Sequence, residues 1–198
     1  MLLPSDSFLR YASAPGGVSM GSVSPRSRAS GFSLIELLIV VAIILIIAAI
    51  AIPNFLQSRM AANETATAGT MRTFFTSAVA YSSTYQNGFP PTLATLGPPG
   101  GGGSTCQNAD LIDNVLASGI KSGYYYNYQP VPVTQLPAPG PTCTTAGFGS
   151  FTLNADPGPG GADRGRVGRK SFYMDESGVI RFSLIAVAGP TDPPIPST

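Results

Sequence analysis

The sequence predicts an α+β protein in which one long N-terminal helix packs against a small antiparallel β-sheet head. An apolar run first covers residues 32–52 of the 198-residue chain. A stretch of helix-forming residues follows over residues 54–87, in which Gly69 alone is a glycine or proline. Residues 88–198 then hold 18 of the 23 glycines and 15 of the 19 prolines, a composition typical of short strands joined by turns.

The composition excludes several classes of function. Histidine is absent, which excludes Ser-His-Asp and Cys-His catalysis, histidine-ligated zinc and a histidine pH switch. The scattered acids, including Asp175 and Glu176, lack the spacing of a calcium-binding loop and suggest no general acid–base pair. With a formal net charge of +1, the chain is not expected to bind nucleic acid specifically. We therefore expect no enzyme, no metal and no cofactor.

Residues 32–52 are predicted to form a membrane-spanning helix. Ser33 and Glu36 are their only polar members, and a helix of this length extends roughly 31 Å, which matches a bilayer core. A buried helix of a soluble protein would need a large core, which the turn-rich C-terminal half cannot supply. A cleaved secretory signal is the other alternative, because alanines near the end of the run resemble a cleavage site. The helical pattern, however, continues past Pro53.

The charges before the apolar run predict its orientation. They comprise three arginines and one acid: Arg10, Arg26, Arg28 and Asp6. By the positive-inside tendency this end is expected in the cytoplasm, with everything after Pro53 outside the membrane. We expect translation to start at Met20 rather than Met1, which leaves a basic leader of 12 residues.

Glu36 is the most informative residue of the span. A carboxylate inside an apolar helix costs about 2.5–3.5 kcal/mol on insertion scales, which makes it a functional candidate. The alternative is an interfacial acid that reaches the head groups from the end of the helix. The residues around Glu36 favour the functional interpretation.

Gly31, Phe32 and Glu36, with the apolar run and Pro53 near its end, resemble the N-terminus of a type IV prepilin. The resemblance covers residues 26–62, about a fifth of the chain. It implies that a prepilin peptidase cuts between Gly31 and Phe32 and N-methylates Phe32. It also implies that Glu36 meets the new amine of Phe32 on a neighbouring subunit.

Elementary electrostatics supports that pairing. Opposite charges attract far more strongly in an apolar filament core than in water, and a misregistered subunit would leave Glu36 buried and unpaired. Glu36 is therefore expected to set the register of assembly. Gly31 suits the protease because a backbone without side chains enters a cleft easily.

The resemblance also implies the domain organisation and the partners. Residues 1–31 are a removed leader, residues 32–53 the filament-core helix, residues 54–87 its amphipathic continuation and residues 88–198 the head. The implied partners are the membrane before assembly, the prepilin peptidase, the pilus assembly machinery and other copies in a helical polymer. The precursor is expected in a bacterial inner membrane and the product in a cell-surface filament.

Two alternatives to a pilus subunit stay open. A pseudopilin of a type II secretion system, whose short periplasmic filament drives exported proteins outward, has the same kind of N-terminus. Major pseudopilins carry an Asp-Pro-Trp-Gly-type segment, whereas this chain has no tryptophan and a long head rich in glycine and proline. A membrane-anchored binding module would show no dependence on prepilin peptidase.

The helix is predicted to continue beyond Pro53 to residue 86. Pro53 has no amide hydrogen and is expected to kink or loosen the helix locally. Apolar residues then recur at steps of three and four, a stripe that favours packing against a sheet. The stripe comprises Met71, Phe74, Phe75, Ala78, Tyr81 and Tyr85. Asn87 and Gly88 are expected to end the helix.

The head is predicted to contain a short helix and three or four antiparallel strands. The helix is expected over residues 110–119, with Asp110 as N-cap and Gly119 at its end. The strands are expected at residues 124–133, 149–154, 170–174 and 179–185, the last two forming a hairpin. The tail from residue 189 is expected to be loose.

Cys106 and Cys143 lie on the predicted outer side of the membrane, where a disulfide is the expected state. It would stabilise the fold by a few kcal/mol. Free thiols or a redox pair are the alternative, although the wide spacing differs from C-x-x-C.

A group of four cations is predicted to form a basic loop. It comprises Arg164, Arg166, Arg169 and Lys170, countered by Asp156 and Asp163. We expect a solvated loop, and binding of a polyanion or of an acidic neighbour in a filament is the alternative.

Overall fold

A computed structural model describes residues 31–131, 143–144 and 146–196. The described elements are α1 (Leu34–Tyr85), α2 (Asn114–Ala117), β1 (Ile120–Lys121), β2 (Tyr124–Pro130), β3 (Phe151–Pro157), β4 (Ser171–Asp175) and β5 (Arg181–Ser183). Short 3-10 turns cover Leu93–Leu96 and Pro159–Gly161. The strands form one antiparallel sheet in the order β1-β2-β3-β4-β5. The predicted α+β class is therefore confirmed.

The chain divides into two compact units, Met1–Ile43 and Ile44–Thr198. The described part of the first unit is the beginning of α1, where the amide of Leu37 donates to the carbonyl of Ser33 at 3.2 Å. The second unit holds the rest of α1 and the whole sheet.

Helix α1 has nearly the predicted extent. It is continuous through Pro53 and ends at Tyr85. Gln86 and Gly88 then take positive φ values of 51° and 71°, which ends the helical hydrogen bonding. Only Pro53 and Gly69 within α1 belong to the two residue types that disfavour a helix most strongly.

The predicted stripe on α1 packs against the sheet. Met71, Phe74, Ala78 and Tyr81 are fully buried, and Phe75 and Tyr85 are partly buried against the same core. Their partners on β2, β3 and β4 are the buried residues Tyr124, Tyr126, Phe151, Leu153, Phe172 and Met174. The ring of Phe74 lies 5.5 Å from that of Phe151 and 5.6 Å from that of Tyr128. This helix-to-sheet contact is the centre of the head.

The predicted short helix begins later than expected. Asp113 rather than Asp110 is the N-cap of α2, and its Oδ1 accepts a hydrogen bond from the amide of Leu116 at 2.9 Å. Asp110 has a φ of 55°, and its amide donates to the carbonyl of Gly97. The chain before α2 therefore pairs with a neighbouring loop instead of starting a helix. Gly119 ends the segment as predicted, with a φ of 82°.

The strands differ from prediction at their ends. β1 was not predicted, because two residues carry too little pattern to identify. β2 ends at Pro130, and residues 132–133 of the predicted strand lie outside the described residues. β3 runs to Pro157, three residues beyond the prediction. β4 and β5 pair antiparallel, which confirms the hairpin, but β5 is only three residues long and the chain leaves the sheet after Ser183.

The prediction of a loose tail is wrong for residues 189–196. The amide of Ile195 donates to the carbonyl of Ile180 at 2.9 Å, and the amide of Phe182 donates to the carbonyl of Pro193 at 3.0 Å. Ile195 also packs against the core. The physical reason is that β5 is an edge strand whose open backbone groups need partners. Residues 197–198 lie outside the described residues.

Candidate assembly site

Three of the predicted cleavage and assembly residues lie at the start of α1, and the fourth, Pro53, lies inside the helix. Gly31 and Phe32 precede the helix, and the side chain of Phe32 is exposed. Glu36 lies exposed in the first turn, where the positive end of the helix dipole favours a carboxylate. A methyl group added at Gly31 would meet no atom within 4 Å. Packing within this chain therefore imposes no need for glycine at position 31.

The first part of α1 presents apolar side chains on every face. Every leucine, isoleucine, valine and phenylalanine from residue 34 to residue 56 is exposed. The helix is long and apolar enough to cross a membrane, and none of its most apolar 18-residue window is buried. An exposed apolar surface of this extent marks contact with a membrane or with other chains.

The predicted disulfide is confirmed. Cys106 and Cys143 are both buried and bonded, with Cα atoms 5.7 Å apart. The hydroxyl of Tyr81 donates to the carbonyl of Cys106 at 2.8 Å, and Nδ2 of Asn87 lies 3.4 Å from Sγ of Cys143. The disulfide therefore fastens two distant parts of the head to the C-terminal end of α1.

A buried polar cluster escaped the sequence analysis. Asp156 is buried on β3, with its pKa raised by burial and lowered in part by the hydrogen bond with Ser171 and the charge of Arg164. Arg164 Nη2 donates to Ser171 Oγ at 2.7 Å and to the carbonyl of Ala186 at 2.9 Å. Its Nη1 donates to the carbonyls of Arg169 and Ser183. The cluster joins β3, β4 and the loops around them, and each of these hydrogen bonds fastens one part of the head to another.

The prediction of a solvated basic loop is wrong for two of its four cations. Arg164 is held as described above, and Lys170 Nζ lies 3.3 Å from Glu64 Oε2 and 5.4 Å from the ring centre of Phe182. Asp156 is buried below the loop instead of countering it from outside. Arg166 fits the prediction, because its side chain is exposed and pairs with Asp163.

Glu64 fastens this loop to α1. One carboxylate oxygen accepts from the amide of Arg169 at 2.7 Å, and the other pairs with Lys170. Nδ2 of Asn63 donates to the carbonyl of Val167 at 2.8 Å. No local sequence signal identifies such contacts, since the partners are about a hundred residues apart. Within the described residues, no group of three or more acids or cysteines could hold a metal.

The N-terminal part of the chain is similar to known proteins. Residues 26–52 match the family described as the prokaryotic N-terminal methylation motif. A segment of 59 residues is 48% identical to the type IV wide pilus major component PilA4 of Thermus thermophilus. In this N-terminal part the chain is therefore similar to type IV pilins. The matching segment spans 30% of this chain and 42% of the relative's length, and no solved structure matches the chain.

The pilin-like assignment agrees with the architecture. A long N-terminal helix with an exposed apolar part precedes a small antiparallel sheet, as in the pilin α+β fold. The matched relative is itself named as a pilus component, and the matched family is named for a methylation motif. The apolar part of α1 is long enough to anchor the chain in a membrane.

Proposed function

We propose that this protein is the structural subunit of a type IV pilus filament. It is inserted as a precursor with its N-terminus in the cytoplasm and its head outside, then cleaved and extracted into a fibre. The observation that carries this proposal is the exposed apolar part of α1, most of which lies inside the methylation motif of residues 26–52. A membrane covers this surface before assembly, and the helices of other copies cover it in the fibre.

In this proposal the peptide bond between Gly31 and Phe32 is hydrolysed by a prepilin peptidase. The leader departs with a new carboxylate on Gly31, and Phe32 gains an α-amine that is N-methylated and positively charged at neutral pH. The exposure of Phe32 and the open space around Gly31 support access to this bond.

Glu36 then sets the register between subunits. Among the residues that the structure describes, no ion pair involves Glu36, although it lies exposed in the first turn of α1. Covering the apolar helix with other helices would bury the carboxylate, at a high cost in free energy unless a cation meets it. The new amine of Phe32 on a neighbouring copy is the cation that this proposal supplies.

Pro53 allows α1 to change locally during assembly. Because it lacks an amide hydrogen, the carbonyl of Ala49 has no helical donor. The hydrogen-bond ladder of α1 is therefore weakest at this point, where the helix can loosen locally as it passes from membrane to fibre.

N-terminal sequencing and intact mass of fibres sheared from cells test the proposal. The wild-type protein should begin with methylated Phe32 in long fibres. Glu36→Ala should be cleaved normally but yield at least tenfold fewer fibres, whereas Glu176→Ala, a matched removal of an exposed head carboxylate, should assemble normally. An N-terminus before residue 32 in fibres would overturn the cleavage assignment. Normal assembly of Glu36→Ala would overturn the register role.

A pseudopilin of a type II secretion system is the second candidate, favoured only by the shared N-terminal motif. The relative named as a wide pilus component, the absence of tryptophan and the long head favour the pilus. The two are distinguished by where the processed chain accumulates. Recovery of processed chain in the envelope alone, with loss of protein export on deletion, would replace the pilus proposal.

A further inference from the structure

Two surface features meet at one end of the head. The first, here named the apolar tip, comprises residues 184–187, which follow β5. Leu184, Ile185 and Val187 are 54%, 92% and 48% exposed. The second, here named the basic loop, comprises residues 163–170. Four apolar residues in succession on a water-exposed loop form an apolar patch, and such patches mark contact with membranes or other proteins.

The apolar tip is held in place by polar contacts. Arg164 from the basic loop donates to the carbonyls of Ser183 and Ala186, at 3.3 and 2.9 Å. Nδ2 of Asn154 donates to the carbonyl of Ala188 at 2.7 Å, and Ala188 is buried. The tip is thus fastened at both ends while its side chains point outward. Such preorganisation lowers the entropy cost of binding.

Both features lie at the end of the head from which the apolar part of α1 leaves. β4 begins next to Lys170, which pairs with Glu64 near the start of the head segment of α1. The strand runs away from this point, because Gly178 beyond its end lies against the ring of Phe75. β5 returns antiparallel, with Ser183 opposite Ser171, so the apolar tip emerges at the Glu64 end.

Exposed arginines lie at the same end of the head as the apolar tip. Arg59 is exposed on α1, seven residues past Ile52, or about 10 Å along the helix. Arg59 and Arg166 line one open cleft together with Asn63 and the backbone of Gly123. Arg169 is exposed nearby, on the loop held by Glu64. A helix that leaves a bilayer near residue 56 would bring these guanidinium groups to the level of the lipid phosphates.

We propose that the apolar tip and these arginines dock the head of the unassembled subunit on the anionic surface of the membrane that α1 spans. Leu184 and Ile185 enter the interface, and Arg59, Arg166 and Arg169 bind lipid phosphates. The membrane is the favoured occupant because α1 itself holds the head beside it, which makes docking intramolecular. The basic loop also adjoins the end of the apolar part of α1, because Arg169 lines one open cleft with Gln57 and Ser58. This inference rests on the proposed membrane-anchored precursor.

The full chain reconstituted in lipid nanodiscs tests the docking. A spin label is attached at Val187→Cys, with Val179→Cys at the opposite end of the β4–β5 hairpin as the matched control, while the native disulfide stays oxidised. Relaxation by oxygen, which partitions into lipid, and by a water-soluble nickel chelate measures the position of each label. The label at residue 187 should lie in the interface of discs that contain phosphatidylglycerol, and the label at residue 179 should lie in water.

Variants separate the two parts of the docking surface. Ile185→Asp should move the label at residue 187 into water, whereas Val179→Asp should not. Arg166→Ala and Arg169→Ala should each weaken docking about fivefold on phosphatidylglycerol at low salt. Both keep the fold contacts made by Asn63 and Glu64, because these bind backbone atoms of the loop. Arg72→Ala removes an exposed arginine elsewhere on α1 and should have no effect.

Three results would overturn the inference, and a fourth would overturn the proposed function on which it rests. A label at residue 187 in water, in a chain that protease protection shows to span the disc, rejects docking but keeps the anchored precursor. Equal docking on phosphatidylcholine alone rejects the role of the arginines. If the label at residue 187 is shielded from the water-soluble nickel chelate only when a disc holds several copies, a second copy and not the membrane covers the apolar tip. A chain that fails to span the disc at all rejects the anchored precursor itself.

Discussion

The two halves of α1 have the same secondary structure and opposite surroundings. From residue 34 to residue 56 every large apolar side chain is exposed, whereas from Met60 to Tyr81 one stripe of side chains is buried under the sheet. The first half is apolar on all faces, and the second half on one. Both halves are helical although only one is buried. The pattern of apolar residues decides whether the sheet of the same chain covers the helix or whether its surface stays open to contact with other molecules.

The largest expected effect comes from breaking the buried half. Phe74→Ala removes a fully buried ring that contacts Phe151 and Tyr128 and should lower the free energy of unfolding of the head by about 3–5 kcal/mol. Ile47→Ala, at an exposed position of the first half, should change it by less than about 0.5 kcal/mol. Urea unfolding of the full chain in detergent, followed by tyrosine circular dichroism, measures both. Equal losses would refute the contrast between the halves.

The disulfide sharpens the comparison at the far end of the buried half. Replacing Cys106 and Cys143 by serine frees a loop of sequence separation 37, with an expected cost of about 3–4 kcal/mol in the chain-entropy model. Hydrogen exchange should rise around Tyr81 and Asn87, which contact the two cysteines, and stay unchanged before residue 56. Unchanged exchange at the C-terminal end of α1 would show that the disulfide does not hold this half of the helix.

Gly69 gives a smaller effect of opposite sign. It is the one glycine within α1, and an added methyl group would meet no atom within 4 Å. Gly69→Ala should therefore stabilise the head by about 0.5–1 kcal/mol. Thermal unfolding measures the gain, with Ala68→Gly as the reverse control. Loss of stability would mean that the space beside Gly69 is needed by the fold.

The smallest expected effect is a pH dependence from Asp156. Burial raises its pKa in the folded protein, so the folded state holds the proton more tightly than the unfolded chain. The stability linked to this proton is complete below about pH 4 and is lost as pH rises through the raised pKa. Between pH 4 and pH 7 the wild type therefore loses the contribution of this proton to its free energy of unfolding. Asp156→Asn has no such proton to lose, so its free energy of unfolding should fall less, or rise more, over the same range. If the free energy of unfolding changes equally with pH in the two proteins, the raised pKa of Asp156 would be contradicted.

Local patterns were sufficient for much of the fold. Predictions of α1, its buried stripe and the β4–β5 hairpin rested on contacts within a few residues, where spacing and turn residues act directly. Predictions failed where distant parts of the chain compete for backbone partners. Asp110 does not cap α2 because its amide binds the carbonyl of Gly97, and residues 189–196 are ordered because β5 offers an open edge.

The sequence by itself determined the long helix, its exposed apolar half, the α+β class, the methylation motif and the pairing of the two cysteines. These follow from composition, period and the limited choice of partners. Only the tertiary structure decided that Asp156 is buried beside Arg164, that Glu64 holds the basic loop, and that the apolar tip lies at the same end of the head as exposed arginines. Each depends on residues that are far apart in the chain, and no local pattern records which side chains the packing of a sheet on a helix brings together.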